Sequence, residues 1–415
     1  VAVLMVPLPK DDPFYSYTGP EPLASIAPGT VLKTRSIDYH AVGVPTLLTA
    51  TQLLYRSTSQ TANPTVNVTS VIQPPIQLDK TKVISYQSAY DSLNQNDEPS
   101  YAVSGGLTLG GIVSGVEGAV FGPFIADGYT VIVCDTEGQR ADFTAGPEYG
   151  MNTLDSIRAA FQSSTVGLPS DAKVGMLGYS GGAIATEWAA ELAPTYAPDV
   201  NARMVGAAMG GVLVDPAHNL HYVEGSLIWA GVMPMAIVGI ARAFEVDFTP
   251  YLSVYGVKVY NDMMTASIVD VLGLYPGLKW TDLASPAYPT PESLPLYVTQ
   301  ANKLIMGTGG TATVPLFIGQ GASGVLEGTP GDKPGIGAGD GVMIAGDVRA
   351  LARGYCAKGV KVHYEQYDLL GHVSSIVIWL TNSIAWIKQR FEGVAAPQNC
   401  SSIAAGNSLA PIPVP

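Results

Sequence analysis

Short runs of continuous apolar residues recur along this chain, with helix-forming segments between them. The runs are Val68–Ile72, Lys82–Gln87, Tyr129–Cys134, Lys173–Gly178, Met204–Ala208, Val314–Ile318 and Val360–Tyr364. Runs of this length without polar alternation suit strands buried on both faces, as a parallel sheet requires. The intervening pattern predicts helices over Gly150–Gln162, Gly182–Glu191 and Ala345–Ala357, with a last one over Val373–Phe391. Strands alternating with helices predict an α/β sheet. The alternation lapses between about Val214 and Gly310, which is apolar and helix-prone first and carries Pro- and Tyr-containing loops later. Residues 1–213 and 311–415 therefore read as the core, and 214–310 as a largely helical cap inserted where strand C-termini meet the substrate. An extra subdomain with no substrate role is the alternative.

Within the insertion, Ser226–Ala241 carries no charge. It is shorter than the roughly 20 residues that span a bilayer, and Pro234 interrupts it, so a buried or lid-forming helix is expected. Followed to Phe244, the segment is apolar on every side of a helical wheel, which means burial or contact with something apolar. Val232 and Met233 are the positions expected to line an acyl pocket.

The segment Gly178-Tyr179-Ser180-Gly181-Gly182 follows the strand-like Lys173–Leu177 and precedes the helix-forming Ala183–Ala190. Strand, G-x-S-x-G, helix is the pattern of a nucleophile elbow, in which a strained turn lifts a serine hydroxyl clear of the sheet. Ser180 is the candidate nucleophile, and Tyr179 beside it a candidate substrate contact. A serine needs a base to take its proton and a carboxylate to hold that base in the right tautomer. Among the five histidines, His40 precedes the elbow, His218 and His221 fall in the insertion, and His363 lies inside the last strand. His372 follows that strand in Asp368-Leu369-Leu370-Gly371-His372, on a loop that opens a helix, and is the candidate base. The acid should lie after Val314–Ile318, among Glu327, Asp332, Asp340 and Asp347. Asp347 sits within the expected helix and would point away. Asp340, just ahead of that helix, is favoured, with Asp332 in reserve. The N–H of Gly181 supplies one oxyanion donor, and the segment Ser88–Ser92 after the strand ending at Gln87 should supply the other. Gly335–Gly339 resembles a phosphate loop superficially but lacks the Lys-Ser/Thr ending.

Composition narrows the partners. The chain has 415 residues, 47% of them hydrophobic and 13% charged, with net charge −13 and no basic cluster. Nucleic acid is excluded as a partner, anionic membranes are disfavoured, and neutral substrates remain. Three cysteines are too few for a zinc ribbon or a disulfide scaffold. Cys134 ends a strand and reads as a buried free thiol, while a Cys356–Cys400 bridge would anchor the C-terminal segment. The opening Val1-Ala2-Val3-Leu4-Met5 lacks a basic n-region, so any signal peptide is taken as removed and the chain as secreted. Asn67-Val68-Thr69 and Asn399-Cys400-Ser401 are glycosylation sequons, and Ala410–Pro415 reads as an extended tail. The expected chemistry needs no metal and no cofactor.

Beyond the elbow, a longer set of residues is specific. It comprises Asp11–Tyr15, Ile84–Gln87, Pro99–Tyr101, Gly128-Tyr129, Asp135-Thr136-Glu137-Gly138, Ala145-Gly146, Gly150-Met151, Leu168–Asp171, Cys356-Ala357-Lys358-Gly359 and Trp386–Gln389. With these motifs, spread over most of its length, the chain resembles the secretory lipase family. The resemblance implies an α/β-hydrolase fold, with Ser180 as nucleophile, Asp340 as acid and His372 as base. In the family's spacing, acid and base each lie 16 residues from the C-A-K-G cysteine; here 356 − 340 and 372 − 356 are both 16. It also implies an oxyanion role for Asp91 beside Gly181, and a Cys356–Cys400 bridge. Three departures stand out: Asp97 where a cysteine of a second bridge would fall, a glycine-rich insertion at about Gly321–Gly339, and a short tail after Cys400. A carboxylester hydrolase for lipids or other neutral esters, at a lipid–water interface, is the leading expectation. An esterase for small soluble esters comes next, then a serine peptidase and a catalytically dead binding protein.

Overall fold

The computed structural model describes residues 6–415; the opening Val1–Met5 lies outside the described residues. Nine strands form one sheet: β1 (Val31–Ala41), β2 (Val44–Thr58), β3 (Pro64–Ile72), β4 (Lys82–Gln87), β5 (Thr130–Cys134), β6 (Lys173–Tyr179), β7 (Met204–Gly210), β8 (Leu316–Gly321) and β9 (Val362–Tyr367). Their spatial order is β1-β2-β3-β5-β4-β6-β7-β8-β9. From β5 to β9 every pairing is parallel, and β1, β2 and β3 extend the sheet as antiparallel neighbours. Strands β4 to β9 thus form the expected α/β-hydrolase core.

All seven expected strands are present, with ends shifted by a few residues. Two strands went unforeseen, β1 and β2. In β1, exposed and partly exposed positions alternate, the mark of an edge strand, whereas β5 is buried throughout. A search for continuous apolar runs cannot see a strand such as Leu32-Lys33-Thr34-Arg35-Ser36-Ile37-Asp38. The signal available there was period-two alternation up to Val42-Gly43, a two-residue hairpin with both φ angles positive, at 48° and 73°.

Between β7 and β8 the chain forms helices only, packed as a second apolar cluster that includes Met233, Ile237, Ile240, Leu294 and Val298. Val342, Met343 and Ile344, from the loop after β8, join the same cluster. The expected helix over Ser226–Ala241 begins later, at Val232, and runs to Phe244. Pro234 explains the shift. With the start at Val232 the proline falls in the first turn, where its missing N–H has no intrahelical partner to lose. No described helix is long and apolar enough to cross a membrane.

Cys356 and Cys400 are bonded, with Cα atoms 5.7 Å apart, and Cys134 is a buried free thiol. Beyond the bridge the tail crosses to the inserted helices, where Ile412 exchanges two hydrogen bonds with the Asn302 side chain. Asn67 of the first sequon is fully buried in β3, its amide donating to Tyr55 Oη and Asp135 O, so the folded chain offers no glycan acceptor there.

Candidate active site

β6 ends at Tyr179, and the chain turns at Ser180 into the helix Gly181–Tyr196. Ser180 has φ 56° and ψ −120°, a strained conformation for a residue with a Cβ. Close packing holds it there. A Cβ on Gly178 would lie 2.4 Å from Gly182 O, and one on Gly182 would lie 2.1 Å from Gln87 O at the end of β4. Glycine alone lets the turn close between strand, helix and neighbouring strand.

His372 Nε2 lies 2.8 Å from Ser180 Oγ, and His372 Nδ1 lies 2.6 Å from Asp340 Oδ2. All three residues are buried. Asp340 is fixed from several sides: its Oδ1 accepts the backbone N–H groups of Val342 and Met343 at 3.0 and 2.7 Å, and its carbonyl accepts His372 N–H at 2.8 Å. A carboxylate on Nδ1 keeps the proton there and leaves Nε2 free to accept the serine proton. Burial pushes the His372 imidazole down, but Asp340, Glu327 and Asp91 more than offset this, and the net shift is upward from 6.5.

Asp91 occupies the loop after β4, with φ 38°. Its carboxyl presses on the elbow, so that a Cβ added at Gly181 would lie 1.7 Å from Asp91 Oδ1. The loop is held on both sides. Ser88 Oγ and Ala89 N–H donate to Glu117 at 2.6 and 3.2 Å, Ser92 N–H donates to Glu137 at 3.0 Å, and Ile268 N–H donates to Asp91 O at 2.9 Å. Burial raises the Asp91 carboxyl to about 7, with His372 opposing and Glu117 adding to the rise. The N–H of Gly181, in the first turn of its helix, has no intrahelical partner and remains available.

Above Ser180, Gly181 and Asp91 opens a pocket. Its walls are largely apolar: Val232, Met233, Ala236, Ile237 and Ile240 from the helix Val232–Phe244, with Ile184, Leu213 and Met343 from elsewhere. The two expected pocket positions, Val232 and Met233, are thus brought to the site.

Tyr179 is not. It points away from the pocket, packs behind His372 with ring centroids 5.1 Å apart and planes tilted by 35°, and donates its hydroxyl to His372 O at 2.6 Å. The alternation of side chains along β6 decides this, since Tyr179 falls on the face that packs on Trp379 of the last helix. The other acid candidates lie apart from the histidine–serine pair. Asp332 is exposed, and Asp347, facing away as expected, accepts from His218 and Asn407. Glu327 reaches the His372 loop but bonds Val373 N–H and Trp229 Nε1 rather than the imidazole. Asp97, at the departure noted above, is buried and accepts from Ser92 Oγ at 2.6 Å. Trp229, in the apolar segment expected to line the pocket, does line it. Glu117 was not anticipated: one acid in a glycine-rich helix has no local signal.

The family model for "Secretory lipase" matches residues 105–287 and 336–399, more than half of the chain. The chain belongs to the secretory lipase family. Lipase 1 of Candida albicans is 29% identical over 96% of this chain and 84% of its own length. A Mycobacterium tuberculosis relative named a "Probable inactive lipase" is 30% identical, over 93% of this chain and 83% of its own. Among solved structures, the X-ray structure of Candida antarctica lipase A in its closed state aligns with a TM-score of 0.82 at 26% identity, covering 98% of this chain and 92% of that one. This member is a lipase-like carboxylester hydrolase with an α/β-hydrolase fold, and lipids or other esters are its substrate class.

Proposed function

We propose that the protein is a secreted lipase that cleaves neutral lipid esters through a covalent acyl-enzyme, with Ser180 as nucleophile, His372 as general base and acid, and Asp340 as the residue that orients it. The observation that carries this reading is the hydrogen-bonded chain Asp340–His372–Ser180 at the floor of an apolar pocket. As Ser180 Oγ attacks the ester carbonyl, its proton passes to His372 Nε2. Negative charge builds on the carbonyl oxygen, and Gly181 N–H with the Asp91 segment stabilises it. His372 then returns the proton to the leaving alcohol. Water then attacks the acyl carbon and gives a proton to the same nitrogen, and as the bond to Ser180 Oγ breaks His372 passes that proton to Oγ and the fatty acid leaves.

Residues 214–310 act as the cap, and the helix Val232–Phe244 as the acyl wall. An acyl chain matches these walls because its methylenes leave water for an apolar surface, at about 0.8 kcal/mol each. Action at a lipid–water interface is supported by exposed apolar side chains next to the His372 loop: Leu227, Val325, Leu326, Leu369, Val373 and Val377. The test is covalent labelling with a fluorophosphonate followed by peptide mapping, together with a rate profile over esters of increasing acyl length. Label on Ser180 and a preference for medium or long chains are expected. Label elsewhere, or rates that fall from acetate onward, would refute the reading.

A further inference from the structure

The segment between the two family-matched stretches, residues 288–335, contains Glu327, at the end of a short turn Gly324–Glu327 after β8. Its carboxylate makes two bonds to different parts of the molecule. Oε1 accepts the Trp229 indole N–H at 3.1 Å, and Oε2 accepts the backbone N–H of Val373 at 3.0 Å. Val373 is the residue after His372. Trp229 belongs to the inserted segment, lines the pocket, and stands edge-on to the His372 imidazole with ring centroids 5.2 Å apart and planes at 84°. One carboxylate therefore fixes the loop that carries His372 and the cap side chain that walls it.

Its surroundings leave it little freedom. A Cβ at Gly371 would lie 2.2 Å from Glu327 Oε2, and one at Gly341, next to Asp340, would lie 3.0 Å from Trp229 Nε1 and 3.1 Å from Glu327 Cβ. The cap side of this contact is reinforced by Leu227 N–H donating to Gly328 O at 3.2 Å. We infer that Glu327 is a positioning residue that couples the cap to the reacting histidine, setting the placement of His372 through Val373 and of the pocket wall through Trp229. This rests on the reading of His372 as the base. Two consequences follow from the geometry. Loss of the carboxylate frees the histidine loop, which lowers turnover more than binding. Loss of its charge alone removes one of the groups that favour the imidazolium. The groups facing that ring are Asp340 from the loop after β8, Glu327 from the turn, Asp91 from the loop after β4 and Tyr179 from β6.

The experiment uses the full chain with a soluble short-chain ester. Glu327→Ala should lower kcat by about tenfold, the scale of a lost charge-assisted hydrogen bond, with KM within about twofold of the parent. Glu327→Gln, of the same shape, should move the acidic limb of the kcat/KM profile to lower pH, because the imidazole loses a stabilising charge. Trp229→Phe keeps an aromatic ring, though a smaller one, and removes the N–H; added to Glu327→Ala it should cost little more, since the bond is already gone. The isosteric Glu327→Gln variant keeps the test valid if Glu327→Ala folds poorly. An acidic limb unmoved in Glu327→Gln overturns the inference, as does an unchanged kcat in a folded Glu327→Ala. His372→Ala separates the two layers. If it retains hydrolysis, the histidine reading itself fails; if it is inactive while both Glu327 variants match the parent, only the coupling fails.

Discussion

A substitution of Val232 by Phe tests the acyl pocket directly. Val232 opens the helix Val232–Phe244, is partly buried and faces the pocket, so a larger side chain enters the cavity rather than the packed core. Met233, only 2% exposed, is the worse choice for this purpose, because added bulk there would strain the cluster by about 1–3 kcal/mol. Phenylalanine brings about four more side-chain carbons than valine and displaces three to four methylenes of a long acyl chain. At about 0.8 kcal/mol per buried methylene, the loss is roughly 2.4–3.2 kcal/mol in kcat/KM, or about 60- to 200-fold. Butyrate, which sits nearest Ser180, should change by less than about threefold. The assay is kcat/KM for nitrophenyl esters from C4 to C16, with Tyr255→Ala, an exposed change on the neighbouring helix Val254–Asp262, as a control that leaves the profile unaltered. Ala236→Phe, one turn further along the same face, should shorten the preferred chain in the same way. If neither Val232→Phe nor Ala236→Phe alters the profile, the acyl chain does not lie along this helix and the reasoning is wrong.

Ser180→Ala and His372→Ala should each abolish nearly all hydrolysis, and the double variant should be hardly worse than either, as measured by residual kcat in folded protein. Asp340→Asn should lower kcat by orders of magnitude because an amide cannot hold the imidazole tautomer, whereas Asp332→Asn at the exposed loop should be silent. Activity should fall as pH drops, with a limb above the ordinary histidine value, because the raised His372 must be neutral to accept the Ser180 proton. Thermal stability should move the other way. Burial raises Glu117 from 4.5 to about 7, so the stability linked to its protonated form is complete below about 4.5 and is lost as pH rises through about 7. Glu117→Gln should flatten that slope in a Tm-against-pH series. Removing the Cys356–Cys400 bridge, which closes 44 residues, should cost about 4 kcal/mol in the chain-entropy model, read by denaturant unfolding of a Cys400→Ala variant.

The sequence by itself determined the features whose physics is local. Ser180 was legible because an apolar strand, a glycine-spaced turn and a helix follow one another without interruption, and packing around Gly178 and Gly182 admits little else. His372 was legible because it sits on the loop just beyond the last strand, and Asp340 because it lies in the loop region after β8, just ahead of a helix and at the family's spacing; a parallel sheet sends all such loops to one end. The helical insertion was visible as the place where alternation stopped. Tertiary structure decided what depends on residues far apart in the chain. Which face of β6 Tyr179 would occupy followed from Trp379 and His372, nearly 200 residues away, and that contact took it out of the pocket. The edge strand β1 hid because most of its side chains are exposed or partly exposed, and β2, paired on both sides, hid because polar residues interrupt its apolar run. Glu327 was legible only as one of four candidate acids, not in the place it takes. A carboxylate acquires its role only when folding brings Trp229 and Val373 within hydrogen-bonding reach, a contact that no spacing along the chain encodes.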